Sequence, residues 1–69
     1  MNNSLKSTLV KYNIKIKEWA DVINVTKETA SLKVNGKAIV TLEEAFKTQD
    51  YIYKKTNKLL TLDEIFSNN

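Results

Sequence analysis

Residues Lys15 to Lys37, KIKEWADVINVTKETASLKVNGK, decide how this chain folds. Small and apolar residues recur there at the spacing of two short helices that cross closely. Such a crossing needs a residue no larger than alanine where the second helix passes over the first, and Ala20 stands there. Trp19, Ile23, Val25 and Ala30 supply the apolar contacts around it. Asn24 falls in the turn, where a residue that tolerates positive φ is required. Thr26 follows as the N-cap of the second helix, and Gly36, the only glycine, stands where that helix would end on a left-handed residue. The arrangement is that of a helix-turn-helix unit.

Working outward, the chain carries no proline, repeat or low-complexity tract to divide it, so residues 1–69 are expected to form a single all-α domain. The spacing predicts five helices joined by short connections. The first runs from about Ser4 to Tyr12, with Leu5 and Leu9 one turn apart as its core stripe. The second spans Ile16 to Ile23 with no clear N-cap, because Lys15 cannot cap in the usual way and Asn13 would start the helix early. The third runs from Lys27 to about Asn35. Thr41-Leu42-Glu43-Glu44 and Thr61-Leu62-Asp63-Glu64 are both capping boxes, so a fourth helix is expected from Leu42 towards Lys54 and a fifth from Leu62 to Phe66. On the fourth, Leu42, Ala45, Gln49 and Ile52 form the expected buried stripe, flanked by Phe46 and Tyr53. Leu60 and Ile65 form an expected hydrophobic staple. A competing reading makes Lys33 to Val40 a β-hairpin turning at Asn35-Gly36, which would favour a winged helix.

Composition narrows the function. A chain of 69 residues buries a smaller share of its surface than a large domain, so marginal stability is expected. With 42% hydrophobic and 28% charged residues it reads as globular rather than disordered. Cysteine and histidine are both absent, which removes the usual transition-metal ligands and most nucleophile-base pairs; neither an enzyme nor a bound metal or cofactor is expected. No apolar run approaches the roughly 20 residues that span a bilayer, and MNNSLKS lacks a signal peptide's apolar region. The expectation is a soluble, unprocessed cytoplasmic protein. The net charge of +3 comes from eleven lysines, with no arginine, against eight acidic residues, weak evidence for a polyanionic partner by itself. Distribution strengthens it: Lys15, Lys17, Lys27, Lys33 and Lys37 belong to the two-helix unit or its edges, while Glu43, Glu44, Asp63 and Glu64 lie at helix starts, where carboxylates suit the dipole.

Ala20, Ile23, Val25, Thr26, Thr29, Ser31, Asn35 and Gly36, with the later LEEAF and LDEIF segments, give the chain a pattern that resembles the lambda-repressor-like helix-turn-helix family, particularly its small phage Cro-like and repressor-like members. The resemblance covers most of the chain. It departs at three positions: Ile16 stands where the family usually has a phosphate-contacting glutamine, Asn24 replaces the turn glycine, and Ala30 replaces a larger branched residue. Asparagine tolerates the left-handed region and alanine fits the crossing with slack, so the departure that bears on binding is Ile16.

The resemblance implies a compact five-helix DNA-binding domain whose third helix enters the major groove of double-stranded DNA. The base-reading residues would be Lys27, Glu28, Ser31 and Leu32: lysine donating to guanine, glutamate accepting from cytosine, serine bonding several bases, leucine touching a thymine methyl. Phosphate contacts would come from Lys15, Lys17, Thr26, Asn35 and Lys37. One short helix reads few bases, so a homodimer is expected at least on DNA, with Leu59, Leu60, Ile65 and Phe66 as its interface. The function implied is a transcriptional regulator, a phage or prophage Cro-like repressor in a bacterial cytoplasm. Its rival is a protein-interaction module, antirepressor or antitoxin-like, that keeps the fold but binds another regulator. The aromatics Tyr12, Trp19, Phe46, Tyr51, Tyr53 and Phe66 read as core or interface rather than as base-stacking platforms.

Overall fold

Turn chemistry sets where each helix begins and ends. The computed structural model describes residues 3–66, and these form α1 (Asn3–Lys11), α2 (Ile16–Ile23), α3 (Lys27–Val34), α4 (Leu42–Thr56) and α5 (Leu62–Phe66). No strand occurs among the described residues, and Asn35-Gly36 terminates α3 instead of turning a hairpin. Every connection after the first four helices uses a left-handed residue: Asn13 at φ 58°, Asn24 at 62°, Gly36 at 77° and Asn57 at 61°. A left-handed residue lets the chain fold back so that amides satisfy the last helical carbonyls. Thus Ile14 N–H donates to Leu9 O at 2.8 Å, Val25 N–H to Ala20 O at 2.9 Å, and Lys37 N–H to Leu32 O at 2.8 Å. Asn13 therefore stops α1 rather than starting α2.

Threonines begin the later helices. Thr26 Oγ1 accepts from Thr29 N–H at 3.2 Å. Both capping boxes form: Glu44 N–H donates to Thr41 Oγ1 at 3.2 Å while Thr41 N–H donates to Glu44 Oε1 at 3.0 Å, and Thr61 and Glu64 repeat the exchange at 3.1 and 3.0 Å. Each box ties two otherwise orphaned amides to side chains.

The core centres on Trp19, fully buried among Leu5, Leu9, Ile14, Ala20, Ile23, Ala30, Val34, Ile52 and Ile65. α2 packs against α3 and α4, and α5 fills the gap between α1 and α4. Ser4 Oγ donates to Glu64 O at 2.7 Å, and Gln49 Nε2 donates to Leu60 O at 2.7 Å, which fixes α5 from both sides. Ala20 and Ala30 are both buried between α2 and α3, as a close crossing requires. The result measures 29 × 26 × 21 Å, and no described helix is long and apolar enough to cross a membrane.

On α4 the expected stripe is corrected. Ala45 and Ile52 are buried, but their partner on the inner face is Thr48. Thr48 Oγ1 accepts from Trp19 Nε1–H at 2.8 Å and donates to Glu44 O at 2.8 Å, so its polarity is satisfied inside the core. Leu42, assigned to the core from sequence, is 65% exposed, and Phe46 and Tyr53 also face outward.

Candidate nucleic-acid interface

The surface of the α2–α3 unit follows from its two helix starts and one helix face. α2 begins bare: its N-cap, Lys15, makes no side-chain capping hydrogen bond, unlike Thr26, Thr41 and Thr61 at the later helices. The first-turn amides of α2 therefore point outward without a side-chain acceptor, at the positive end of the helix dipole, with the exposed Lys15 and Lys17 beside them. Such a terminus accepts an anion.

α3 turns Ala30, Lys33 and Val34 inward. Its opposite side carries two adjacent i,i+4 rows, Lys27 with Ser31 and Glu28 with Leu32. Lys27 and Glu28 are exposed, Leu32 is 46% exposed and Ser31 is half-buried. The four expected base-reading residues thus share one face. Leu32 offers apolar surface, Lys27 a cation and Glu28 a carboxylate.

Charge pairing divides the molecule. Lys47 pairs with Glu43 at 3.3 Å, Lys54 with Asp50 at 3.1 Å, and Lys55 with Glu18 at 3.2 Å, where Tyr51 also donates its hydroxyl to the Glu18 carboxylate. The side chains of Lys15, Lys17, Lys27 and Lys37, by contrast, make no ion pair or hydrogen bond among the described residues. Lys6 and Lys11 on α1 and Lys58 after α4 also make no ion pair among the described residues, so the four lysines of the α2–α3 unit and its edge are set apart by their clustering.

Lys33 belongs to neither group. It is buried, and its Nζ donates to Ile39 O at 2.7 Å and to Glu44 Oε1 at 2.8 Å. The same Glu44 oxygen accepts the Thr41 amide. One carboxylate therefore holds the end of α3, the α3–α4 loop and the start of α4 together. Burial pushes the Glu44 carboxyl up, but the Lys33 hydrogen bond, the Thr41 amide and the Lys33 charge outweigh it, and the group lies below the ordinary glutamate value. Sequence reasoning read Glu44 as a cap alone; Lys33, a charged residue one turn after Ala30 and Thr29 on a helix's inner side, was the available signal for a carboxylate partner.

Two expected phosphate ligands are partly engaged within the chain. Thr26 Oγ1 donates to Thr29 Oγ1 at 3.0 Å, leaving its backbone amide for an anion. Asn35 Nδ2 donates to Ser31 O at 2.9 Å and lies 3.5 Å from Ser31 Oγ, so Asn35 closes the end of α3 and retains one N–H.

The expected dimer surface is corrected. Ile65 is fully buried against α1 and α4, and Leu60 and Phe66 are half-buried against the same core; only Leu59, at 71% exposure, is free of it. Of the four expected interface residues, Ile65 therefore belongs to the core, and Leu59 with the outer parts of Leu60 and Phe66 remains at the surface. The other exposed large apolar residues are Val10 on α1, Leu32 on α3, Ile39 in the loop before α4, and Leu42, Phe46 and Tyr53 on α4.

No family model matches the chain, and no curated protein or solved structure matches it either.

Proposed function

We propose that this protein is a sequence-specific double-stranded DNA-binding transcriptional regulator, a lambda-repressor-like, Cro-like repressor of phage or prophage kind, whose α2–α3 helix-turn-helix reads the major groove through α3. The observation that carries this reading is the coincidence, on one unit, of an uncapped α2 N-terminus, four unpaired lysines and an exposed α3 face bearing Lys27, Glu28, Ser31 and Leu32. In this arrangement α2 rests on phosphates through its amides, Lys15 and Lys17, and Lys37 holds the backbone on the far side of α3. The lysines act as point charges rather than planar forks, so much of the affinity is salt-sensitive and sequence-neutral. Discrimination comes from the α3 face. Glu28 contributes by rejection, because a carboxylate opposes phosphates in general and is repaid only where a base donates to it.

The test is to recover the fragments of the source genome that the protein binds, then measure alanine variants at Lys27, Glu28, Ser31 and Leu32 on the preferred duplex and on random duplex. Losses of about 1 to 3 kcal/mol on the preferred site, with smaller losses on random DNA, are expected. Glu28→Ala should relax preference and can raise affinity for random DNA. No retained duplex, together with capture of another regulator through the same four residues, would replace this reading with the protein-interaction module.

A further inference from the structure

We infer that the outer face of α4 is a homodimerisation surface, on which a second copy of this chain packs antiparallel to the first. Two observations point to a second copy rather than to another occupant. The first is apolar: Leu42, Phe46 and Tyr53, each between 44% and 65% exposed, share one face of α4, with Gln49 between the last two, on a helix whose inner side is already occupied by Ala45, Thr48 and Ile52. Exposed apolar residues scattered singly are ordinary, whereas several large ones sharing one helix face suit a contact.

The second is charge order. Beside that row, Glu43, Lys47, Asp50 and Lys54 run in alternating sign along the helix. A two-fold axis crossing α4 between Thr48 and Gln49 reverses this order on the second copy. Glu43 then faces Lys54, and Lys47 faces Asp50, each pair occurring twice. A two-fold interface must be complementary to itself, residue i meeting j while j meets i, and in this register all four charges of the row satisfy that condition. Sliding one copy past the other by a turn of helix, which moves the axis by half a turn, sets like charges opposite one another, Glu43 facing Asp50 or Lys47 facing Lys54. In the matched register Phe46 of one copy lies between Gln49 and Tyr53 of the other. The intrahelical pairs, 3.3 Å for Lys47–Glu43 and 3.1 Å for Lys54–Asp50, are exposed and open to exchange with the partner's groups.

This assignment does not rest on DNA binding, and its test is carried out without DNA. Sedimentation equilibrium across the micromolar-to-millimolar range should show association from 7.9 kDa towards twice that mass. Lys47→Glu and Asp50→Lys each place like charges opposite one another, and each alone should weaken the dimer by about tenfold or more. Mixed in equal amounts, the two variants should form a heterodimer, because Glu at 47 of one meets Lys at 50 of the other; the double variant K47E/D50K should self-associate again. Far-ultraviolet circular dichroism of each variant should match the parent, both positions being on the surface. A chain monomeric throughout the range, a dimer insensitive to both substitutions, or a loss that mixing does not restore would overturn the assignment. None of these outcomes bears on whether the protein binds duplex.

Discussion

The outer surface of the α2–α3 unit and the α4–α5 half treat their lysines in opposite ways. α4 and α5 each begin with a reciprocal capping box, and Lys47, Lys54 and Lys55 each hold a carboxylate. α2 begins uncapped, and the side chains of Lys15, Lys17, Lys27 and Lys37 hold no partner among the described residues. A helix start without a cap forgoes about 0.5 to 2 kcal/mol that a serine, threonine or aspartate would supply, and a chain of this size has little stability to spare. Groups left unsatisfied at such a position are consistent with a polyanion supplying what the chain does not. The half that satisfies itself secures the fold; the half that does not carries the proposed contact.

If that division holds, breaking a buried ion pair, as at Lys33 where α3 is tied to Glu44 of α4, should damage stability more than any change among the unpaired lysines. Lys33→Met is the largest expected effect. It leaves Glu44 mostly buried without its cation, and removing one partner of a buried pair costs about 3 to 5 kcal/mol. Urea unfolding should show it directly, while Lys27→Ala should change the midpoint by less than about 0.5 kcal/mol. Ala20→Leu comes next, overpacking the α2–α3 crossing by about 1 to 3 kcal/mol. A thermal melt of Ala20→Leu that overlays the parent would mean that the crossing is not tight.

Acid sharpens the same contrast. Glu44 lies below its ordinary value when folded, so it binds protons more readily in the unfolded chain. Its contribution to stability is complete above the unfolded glutamate value of about 4.3 and is lost as pH falls through the lower folded value. Glu64, held down first by the Thr61 amide, shifts in the same direction but is exposed. Urea midpoints should therefore be flat near neutrality and fall below about pH 4.3, and Glu44→Gln should flatten part of that fall. The smallest effect is at Thr26. Thr26→Ala removes the α3 cap and should cost about 1 kcal/mol in the melt, without altering the acid response.

Much of this arrangement was legible in the sequence because it is local. The bounds of α2 and α5, the three threonine caps and the turn at Asn24 all follow from neighbours within four residues. α4 runs two residues past the expected Lys54, since Asn57 rather than any side-chain preference stops it. What local reading missed depends on partners distant in sequence. Thr48 looks like a surface residue until Trp19, 29 positions away, supplies a donor. Lys33 looks solvated until Glu44 reaches it from the next helix. Leu42 and Ile65 show the converse: hydropathy identifies both as apolar but cannot say that α5 inserts between α1 and α4 while the start of α4 stays outside. The α3 face was legible as a face, because helical periodicity alone sets it, although the engagement of Asn35 with Ser31 was not.

The most direct test of the central claim, that the unpaired lysines of the α2–α3 unit and its edge meet phosphate, is the salt dependence of duplex binding. With about four phosphates neutralised per protomer, the log-log slope of affinity against salt should be about −3.6. Lys15→Ala, Lys17→Ala and Lys37→Ala should each lower its magnitude by about 1, whereas Lys54→Ala and Lys55→Ala should leave it unchanged. A flat response in the parent, or equal losses from the paired and unpaired lysines, would contradict the account.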